Sequence, residues 1–380
     1  MRVLLAPDKF RGTLTAAEAA RAMAAGWRRV RPNDELELVP MADGGEGTLE
    51  VLVRAAGSRG RIERVPATGP LGDLLEAPLG LIDVDAGRLA VVESATVSGL
   101  GLLSPSRRDP MRASSVGTGE MMTAALDRGA DRVLVCLGGS ATNDGGVGMA
   151  RALGIRFLDA AGRELRRGGA AVLDLVRIDA TERDRRVELA QIVGAADVDN
   201  PLTGSSGASA VYGPQKGATP NEVLLLDRAL GHLAAVVHRD LGVSPKDEPG
   251  AGAAGGLGFG LLAFGAGRLR PGIDVVVEDL GLESRIAHAD LVITGEGSFD
   301  EQSLRGKVPA GILRTAELAG TPVMIVCGRA EATVEGALVI SLVDRFGVDA
   351  ALGDARGSVE LVSGELAARA AELVARGAPA

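Results

Sequence analysis

LGGSATNDGGVG, residues 137–148, follows an apolar run at 133–136 and leads into the helix-like sequence VGMARALG. The pattern predicts a strand, a glycine turn and the start of a helix. Glycines let the backbone come close to a ligand, and the N-terminus of a helix attracts anions. The stretch is therefore typical of an anion or phosphate site, although a tight turn whose Ser, Thr and Asn only cap the helix fits it equally well.

Loops of similar composition follow other predicted strands. The strand at 36–39 leads to Asp43 and a glycine pair, and the strand at 289–294 leads to a loop that contains Glu296 and Lys307. The N-terminal strand leads to the charged sequence PDKFRGT. Open α/β sheets bind their ligands at the carboxyl ends of strands, so this recurrence favours a functional role over helix capping alone.

The 380 residues predict two domains rather than one. Strands and helices alternate near both ends of the chain, whereas 61–93 shows the short interrupted runs of antiparallel strands. We expect a two-domain α/β fold. A Rossmann/flavodoxin-like domain with a parallel sheet is built from 1–60 and 284–380, and a mixed α/β domain is inserted at 61–283.

Composition excludes several classes of partner. A net charge of −9 and an aromatic content of 2% argue against binding to nucleic acid. The N-terminal sequence lacks the pattern of a secretory signal, and the uncharged stretch at 250–267 is too rich in Gly and Ala for a membrane span. Cys136 and Cys327 each lie in an apolar run, which predicts reduced, buried thiols and a cytoplasmic location.

Other catalytic motifs are missing from the sequence. It contains no Walker A lysine motif, no zinc-binding spacing and no Gly-x-Ser-x-Gly elbow. The stretch at 250–255 matches GxGxxG, but the preceding KDEP is not a strand, so a dinucleotide-dependent oxidoreductase has weak support. The remaining carboxylates, lysines and glycine loops suit magnesium-assisted phosphoryl transfer.

Six motifs together resemble the bacterial glycerate kinases of the type I family, in order and spacing, from residue 6 to about 328. They are APDKFRGTLTA, MADGGEGT, GGSATNDGG, AADVDNPLTG with YGPQKGA, PGAGAAGGLGFG, and DLVITGEGSFDEQSLRGKVP. The resemblance implies ATP-dependent phosphorylation of D-glycerate to 2-phosphoglycerate, with the substrate in a cleft between two domains. Arg11 stands where the family's first motif usually has Lys, which keeps the charge but removes a group able to transfer a proton.

The resemblance and the chemistry of the motifs assign the following expected roles. The catalytic residues are Asp43, Asp197 and Lys216, with Asp43 and Asp197 as alternative general bases. The substrate-binding residues are Asp8, Lys9, Arg11, Asn143 and Asn200. The nucleotide-binding residues are Gly138, Gly139, Ser140, Gly255, Gly256 and Lys307, and the magnesium ligands are Asp144 and Glu296.

Other functions remain open at this point. The chain could phosphorylate a different small hydroxy acid, or form 3-phosphoglycerate, or act as a nucleotide sensor without turnover. We expect ATP and Mg²⁺ as cofactors, D-glycerate as the small-molecule partner, no nucleic-acid or membrane partner, and a monomer or homodimer.

Overall fold

Strands and helices alternate along most of the chain in the computed structural model, which describes residues 1–85, 87–301, 303–304 and 306–377. The strands are β1 Arg2–Pro7, β2 Glu35–Leu38, β3 Gly60–Thr68, β4 Leu74–Val84, β5 Gly87–Glu93, β6 Arg132–Cys136, β7 Arg156–Leu158, β8 Arg177–Asp179, β9 Gln191–Ala195, β10 Arg268–Arg270, β11 Leu291–Phe299, β12 Val323–Ala330 and β13 Leu338–Ser341. The α-helices are α1 Ala16–Val30, α2 Thr48–Ala55, α3 Ala95–Ser98, α4 Val116–Asp127, α5 Val147–Ala152, α6 Arg186–Leu189, α7 Ala208–Tyr212, α8 Pro220–Leu241, α9 Ala253–Phe264, α10 Gly272–Asp279, α11 Leu282–Ala287, α12 Val308–Ala319, α13 Leu342–Phe346, α14 Val348–Gly353 and α15 Ala355–Gly377.

One compact unit, here called the terminal unit, combines Met1–Asp43 with the chain from Gly272 onward. Its sheet has the strand order β2-β1-β11-β12-β13, and every pairing in it is parallel. Counted within the unit this order is 2-1-3-4-5, the flavodoxin-like arrangement. The strand order reverses between β1 and β11, and such switch points are where doubly wound sheets bind ligands.

The second compact unit, here called the inserted unit, is Gly44–Pro271. Its main sheet has the order β10-β9-β6-β5-β4-β3. The strands β3, β4 and β5 pair antiparallel, as their interrupted sequence pattern predicts, and β5, β6, β9 and β10 pair parallel. The predicted mixed α/β fold is therefore confirmed.

The borders of the two units differ from the residue numbers that the sequence pattern suggests. The pattern places the insertion at 61–283, whereas the units divide after Asp43 and before Gly272. Helix α2 packs against β3, β4 and β5, and helix α10 packs against α11 and α12. A change of hydrophobic period marks where a new type of element begins, but packing decides which unit a flanking helix joins.

Apolar side chains fill both units. In the terminal unit α1 packs along α15 and buries Trp27 completely. In the inserted unit, Phe264 meets the rings of Phe157 and Phe259 edge to face at 5.3 and 6.3 Å. Cys136 and Cys327 are free and buried, as predicted. Among the described residues no helix combines the length and apolarity that a membrane span requires.

Asp34 ties the start of the chain to α1. Its carboxylate accepts hydrogen bonds from the amino group of Met1 at 2.9 Å and from the Trp27 indole at 3.1 Å, and it pairs with Arg31. The Arg31 guanidinium, followed by the donors of Met1 and Trp27, lowers the pKa of Asp34 to about 2. The ionised form is thus the form that stabilises the fold.

We expect Asp34→Asn to lower the free energy of unfolding by about 1.5–3 kcal/mol at neutral pH, the range for hydrogen bonds to a charged group. Because the folded pKa lies below the ordinary value of 3.8, this contribution is complete above pH 4 and is lost as the pH falls toward 2. Thermal unfolding of the parent protein and of Asp34→Asn between pH 2 and pH 7 measures this contribution. Glu50→Gln, which breaks the exposed pair of Glu50 with Arg54, is the control and should change little. Equal destabilisation by Asp34→Asn at pH 2.5 and at pH 7 would contradict the assignment.

Candidate active site

The terminal unit brings three carboxylates together at the switch point of its sheet. Pro7 pairs with Gly295 in the parallel register, and the Asp8 amide donates to the Gly295 carbonyl at 2.8 Å, so Asp8 and Glu296 follow the same rung of the sheet. On the other side of β1, the Met41 amide donates to the Pro7 carbonyl at 2.9 Å. This contact keeps the chain beside β1 until it reaches Asp43.

Burial and neighbouring charges shift the pKa values in this acidic cluster. Asp8 is 5% exposed, and its burial, the neighbouring charge of Asp43 and then that of Glu296 raise its pKa to about 7, although the Lys9 amide donates to its Oδ1 at 2.7 Å. Burial also raises the pKa of Glu296, against the opposing effects of a side-chain hydrogen bond with Ser303 and of the charge of Lys307. Carboxyl groups with raised pKa values cluster at catalytic and ligand-binding sites.

Lys307 lies at the N-terminus of α12, near two carboxylates. Its Nζ is 3.9 Å from Glu296 Oε2 and 3.7 Å from Asp300 Oδ1, which are long distances for ion pairs. Glu296 Oε1 is buried and has no hydrogen-bond partner among the described residues. A buried oxygen of this kind is suited to bind a cation or a polar ligand.

The first charged loop divides into a buried and an exposed part. Asp8 is buried and Lys9 is partly buried, whereas Arg11 is exposed. The segment lies so close to β11 that a Cβ at Gly297 would stand 2.9 Å from the Arg11 amide nitrogen. Glycine at 297 therefore permits the approach of this loop to Glu296.

In the inserted unit, the stretch at 137–148 forms the predicted strand end, turn and helix start. Asp144, predicted as a magnesium ligand, is 2% exposed, and both of its carboxylate oxygens accept hydrogen bonds. Oδ2 accepts from the Ser115 amide at 2.8 Å, the Ser115 hydroxyl at 3.0 Å and the Gly148 amide at 3.1 Å, and Oδ1 accepts from the Gly146 amide at 3.2 Å. The structure thus uses this carboxylate to cap α5 and to bind it to the start of α4.

Lys216 is the most buried of the predicted catalytic residues, at 2% exposure. It follows α7, and its Nζ donates to the Ser140 hydroxyl at 2.9 Å and to the Thr142 carbonyl at 2.7 Å. Burial lowers the pKa of Lys216 to about 7, while the charge of Asp144 opposes that shift. The lysine and the glycine loop, 76 residues apart in sequence, thus form one cluster.

Asn143 belongs to the same loop as these acceptors. Its Nδ2 donates to Ser209 Oγ at 2.9 Å, whereas its Oδ1, like the Thr142 hydroxyl, is buried and finds no hydrogen-bond partner in the described part of the chain. Asn200 instead binds its own loop, since Nδ2 donates to the Ser206 carbonyl and Oδ1 accepts from the Tyr212 hydroxyl. The predicted alternative base Asp197 is exposed.

The predicted nucleotide-binding glycines differ in what surrounds them. A Cβ at Gly138 or Gly139 would find its nearest neighbour at 3.5 Å. A Cβ at Gly255 would stand 1.9 Å from the Thr142 carbonyl oxygen, and one at Gly256 would stand 2.8 Å from Gly145 Cα. Close packing against the loop at 137–148 is therefore sufficient to require glycine at 255 and 256, independently of any nucleotide.

Three residues that hold these loops were not predicted. Ser115 and Ser209 bind Asp144 and Asn143, and Glu93 Oε1 accepts from the amides of Gly47 and Leu49, both at 2.9 Å, at the start of α2. Glu93 carries the clearest sequence signal, because it is an acidic residue at the end of the apolar strand RLAVVE. The two serines lie in small-residue runs that give no such signal.

Within the part of the chain that the structure describes, no three His, Cys, Asp or Glu side chains come close enough to hold a metal ion by themselves. Magnesium needs fewer protein ligands than this, because it commonly keeps several waters and binds through one or two carboxylates together with phosphate oxygens. The unpartnered Oε1 of Glu296 fits that requirement, whereas the fully engaged Asp144 does not.

Comparison with known proteins gives the family. The profile described as the glycerate kinase family matches residues 3–376. The chain belongs to this family. It is a kinase, a phosphotransferase with an alcohol group as acceptor.

The relatives of this family member are similar over most of their length. The glycerate kinase of Haemophilus influenzae is 45% identical over 86% of this chain and 86% of its own. The glycerate 2-kinase of Escherichia coli is 43% identical over 86% of this chain and 85% of its own. A crystal structure from Salmonella typhimurium, provisionally named glycerate kinase 2, superposes with a TM-score of 0.85 at 42% identity over 98% of each chain.

The packing of the two glycine loops gives a stability prediction. Gly255 and Gly242 have the same φ of +72°, but a Cβ at Gly242 would meet nothing within 4 Å. Gly242→Ala should therefore cost roughly 1–2 kcal/mol, the strain of a left-handed alanine. Gly255→Ala adds a collision with the Thr142 carbonyl, and we expect it to cost at least ~2 kcal/mol more. Chemical denaturation of both variants compares them, and equal losses would show that the loops are not packed this closely.

Proposed function

We propose that this protein is an ATP-dependent D-glycerate kinase that forms 2-phosphoglycerate. The observation that supports this most is the identity of more than two-fifths with curated glycerate kinases over 85–86% of their length. The motifs that carry the sequence resemblance also supply the clustered residues Asp8, Asp43 and Glu296 in one unit and Ser140 and Lys216 in the other.

Phosphoryl transfer requires that negative charge be neutralised and that an alcohol proton be accepted. We assign Lys216, Lys307 and the amides of the 138–140 loop to phosphate oxygens. Lys9 and Arg11 supply positive charge for the glycerate carboxylate or for a phosphate. Asn143 is assigned to the substrate, since its Oδ1 lacks a partner. Asn200 acts on the substrate through the shape of its loop, because its amide is already engaged.

Glu296 is the residue we assign to magnesium, with Asp8 beside it. When bound, the ion supplies positive charge that offsets the charge of the transferring phosphate. The carboxylates of this chain would hold the ion beside the switch point of the sheet, and the charge of Lys307 limits the negative charge of this cluster. Gly255 and Gly256 contribute to the nucleotide site by supporting the 137–148 loop.

Asp43 and Asp197 are the two candidates for the general base. Asp43 is half-buried, and its charge is close enough to Asp8 to raise the pKa of Asp8. Asp197, by contrast, is exposed and follows the end of β9. A catalytic base works from a site where water is limited and its position is fixed. The surroundings of Asp43 favour it over Asp197. A cytoplasmic location and a monomeric or homodimeric state complete the proposal.

The activity is tested by coupled ADP release with ATP, magnesium and D-glycerate, followed by phosphorus NMR of the product. We expect glycerate-dependent ADP release and the 2-phosphoglycerate signal. A 3-phosphoglycerate signal would overturn the regiochemistry. The absence of ADP release above background would overturn the substrate, and other small hydroxy acids would then be compared in the same assay.

The assignment of the base is tested with Asp43→Asn and Asp197→Asn, each the other's control. We expect Asp43→Asn to lower kcat by about 10²–10⁴-fold, the usual contribution of general base catalysis. ATP binding, measured by calorimetry, and the melting temperature should stay close to those of the parent. Asp197→Asn should retain most of its turnover, and the opposite pattern would transfer the role of base to Asp197.

A further inference from the structure

The hydrogen bonds of Lys216 match a neutral amine. A neutral lysine has two N–H donors and an ammonium has three. Nζ of Lys216 contacts two acceptors, the Ser140 hydroxyl and the Thr142 carbonyl. Across the described ranges of the chain, this nitrogen has no third hydrogen-bond acceptor and no ion-pair partner. Protonation would therefore create an N–H donor without an acceptor.

The charges around Lys216 do not supply that acceptor. Asp144 lies on the same glycine loop, but its two oxygens already accept from Ser115 and from the amides of Gly146 and Gly148. Arg108 adds positive charge, since it donates to the Gln215 carbonyl in the turn that carries Lys216. Tyr212, on the preceding helix, donates to Asn200 and is neutral at physiological pH. A buried ammonium at this place lacks the paired anion that such groups normally require.

The same loop offers further unsatisfied polar atoms. The Thr142 hydroxyl and Asn143 Oδ1 are both buried, and no described residue forms a hydrogen bond with either atom. Buried polar atoms without partners are rare in folded proteins and commonly mark a place where water or a ligand binds. A hydroxyl can donate to an anion, and an amide oxygen can accept from a substrate hydroxyl.

We propose that Lys216, Ser140 and Thr142 form an oxyanion subsite, and that a phosphoryl or carboxylate group binds there together with one proton that the Lys216 amine takes up from solvent. The bound anion becomes the third acceptor and the missing countercharge at once. The proton adds to the amine lone pair, and no covalent bond of the ligand changes in this step. The identity of the ligand rests on the proposed function, whereas the coupling to a proton rests on the contacts of Lys216.

Because the pKa of Lys216 is about 7, the coupling between anion binding and proton uptake can be measured near neutral pH. At pH 8 the free site is mostly neutral, and an anion that returns the lysine to its ordinary pKa should bring about 0.9 proton with it. Above pH 7 each further pH unit should weaken anion binding by about tenfold. At pH 6 the lysine is already charged, and the uptake should fall to about one-tenth of a proton.

Titration calorimetry on the full chain measures the uptake directly. ATP and D-glycerate are titrated separately at pH 8 in HEPES and in Tris, whose different heats of ionisation report the protons exchanged. Both ligands are fully ionised at this pH, so the uptake is that of the protein. Uptake with ATP assigns the subsite to a phosphoryl group, and uptake with D-glycerate assigns it to a carboxylate. Binding of both ligands without uptake, or failure of both to bind, would overturn the proposal.

Variants then locate the uptake. Lys216→Met should abolish it and weaken the coupled ligand roughly 30-fold or more, the effect of removing one partner of a buried charge pair. Ser140→Ala keeps the lysine and should reduce the affinity less. Lys246→Met is the matched control, because Lys246 is exposed and pairs only with Asp247 among the described residues. Uptake that persists in Lys216→Met would overturn the assignment to this lysine.

The kinase assay separates this proposal from the proposed function. Proton-linked binding of ATP without glycerate-dependent ADP release would preserve the subsite and reject D-glycerate as substrate. Glycerate kinase activity with no proton uptake would preserve the function and make the contacts of Lys216 purely structural.

Discussion

The parallel pairing of β1 with β11 is the interaction on which the rest of the structure depends. It joins residues near 5 and 293, and thereby closes one sheet out of the two ends of a long chain. The pairing places β1 between β2 and β11, so β1 connects to β2 on one side of this junction and β11 connects to β12 on the other. The loops after these strands therefore diverge at one point and leave room for ligands between them. The acidic cluster lies at that point.

Burial of polar groups is the second constraint. Asp8, Asp144 and Lys216 are all buried, but they differ in their hydrogen-bond partners and in the charges beside them. Asp144 is satisfied by four donors, which makes it part of the framework. Asp8 has like charges beside it, and Lys216 has two hydrogen-bond acceptors and, among the described residues, no anion paired with it. Incomplete satisfaction of a buried polar group is costly, and such groups commonly mark places where water or a ligand binds.

Much of the fold could be predicted because local pattern and chain order were sufficient. The alternation of strands and helices predicted the parallel sheet from both chain ends, and the broken runs at 61–93 predicted the antiparallel strands. The exact borders of the units could not be predicted, because the unit that α2 joins depends on its contacts with strands that follow it in the chain.

The candidate site was only partly predictable, for a related reason. Loops at strand ends were identified, and Asp8, Asp43 and Glu296 do lie together. The sequence could not separate Asp144 from Glu296, since both are acidic residues near glycines. Only the contacts show that one is capped by Ser115 and the other has an unpartnered oxygen. Ser209 was missed because its role depends on Asn143, 66 residues earlier.

By itself, the sequence determined the fold class, the family and the kinds of side chain available for catalysis, because these follow from hydrophobic period, glycine placement and motif order. The tertiary structure decided which of these side chains are buried, paired or left without a partner. Hydrogen bonding and desolvation act between residues that are distant along the chain, so the state of each charged group is a property of the folded neighbourhood.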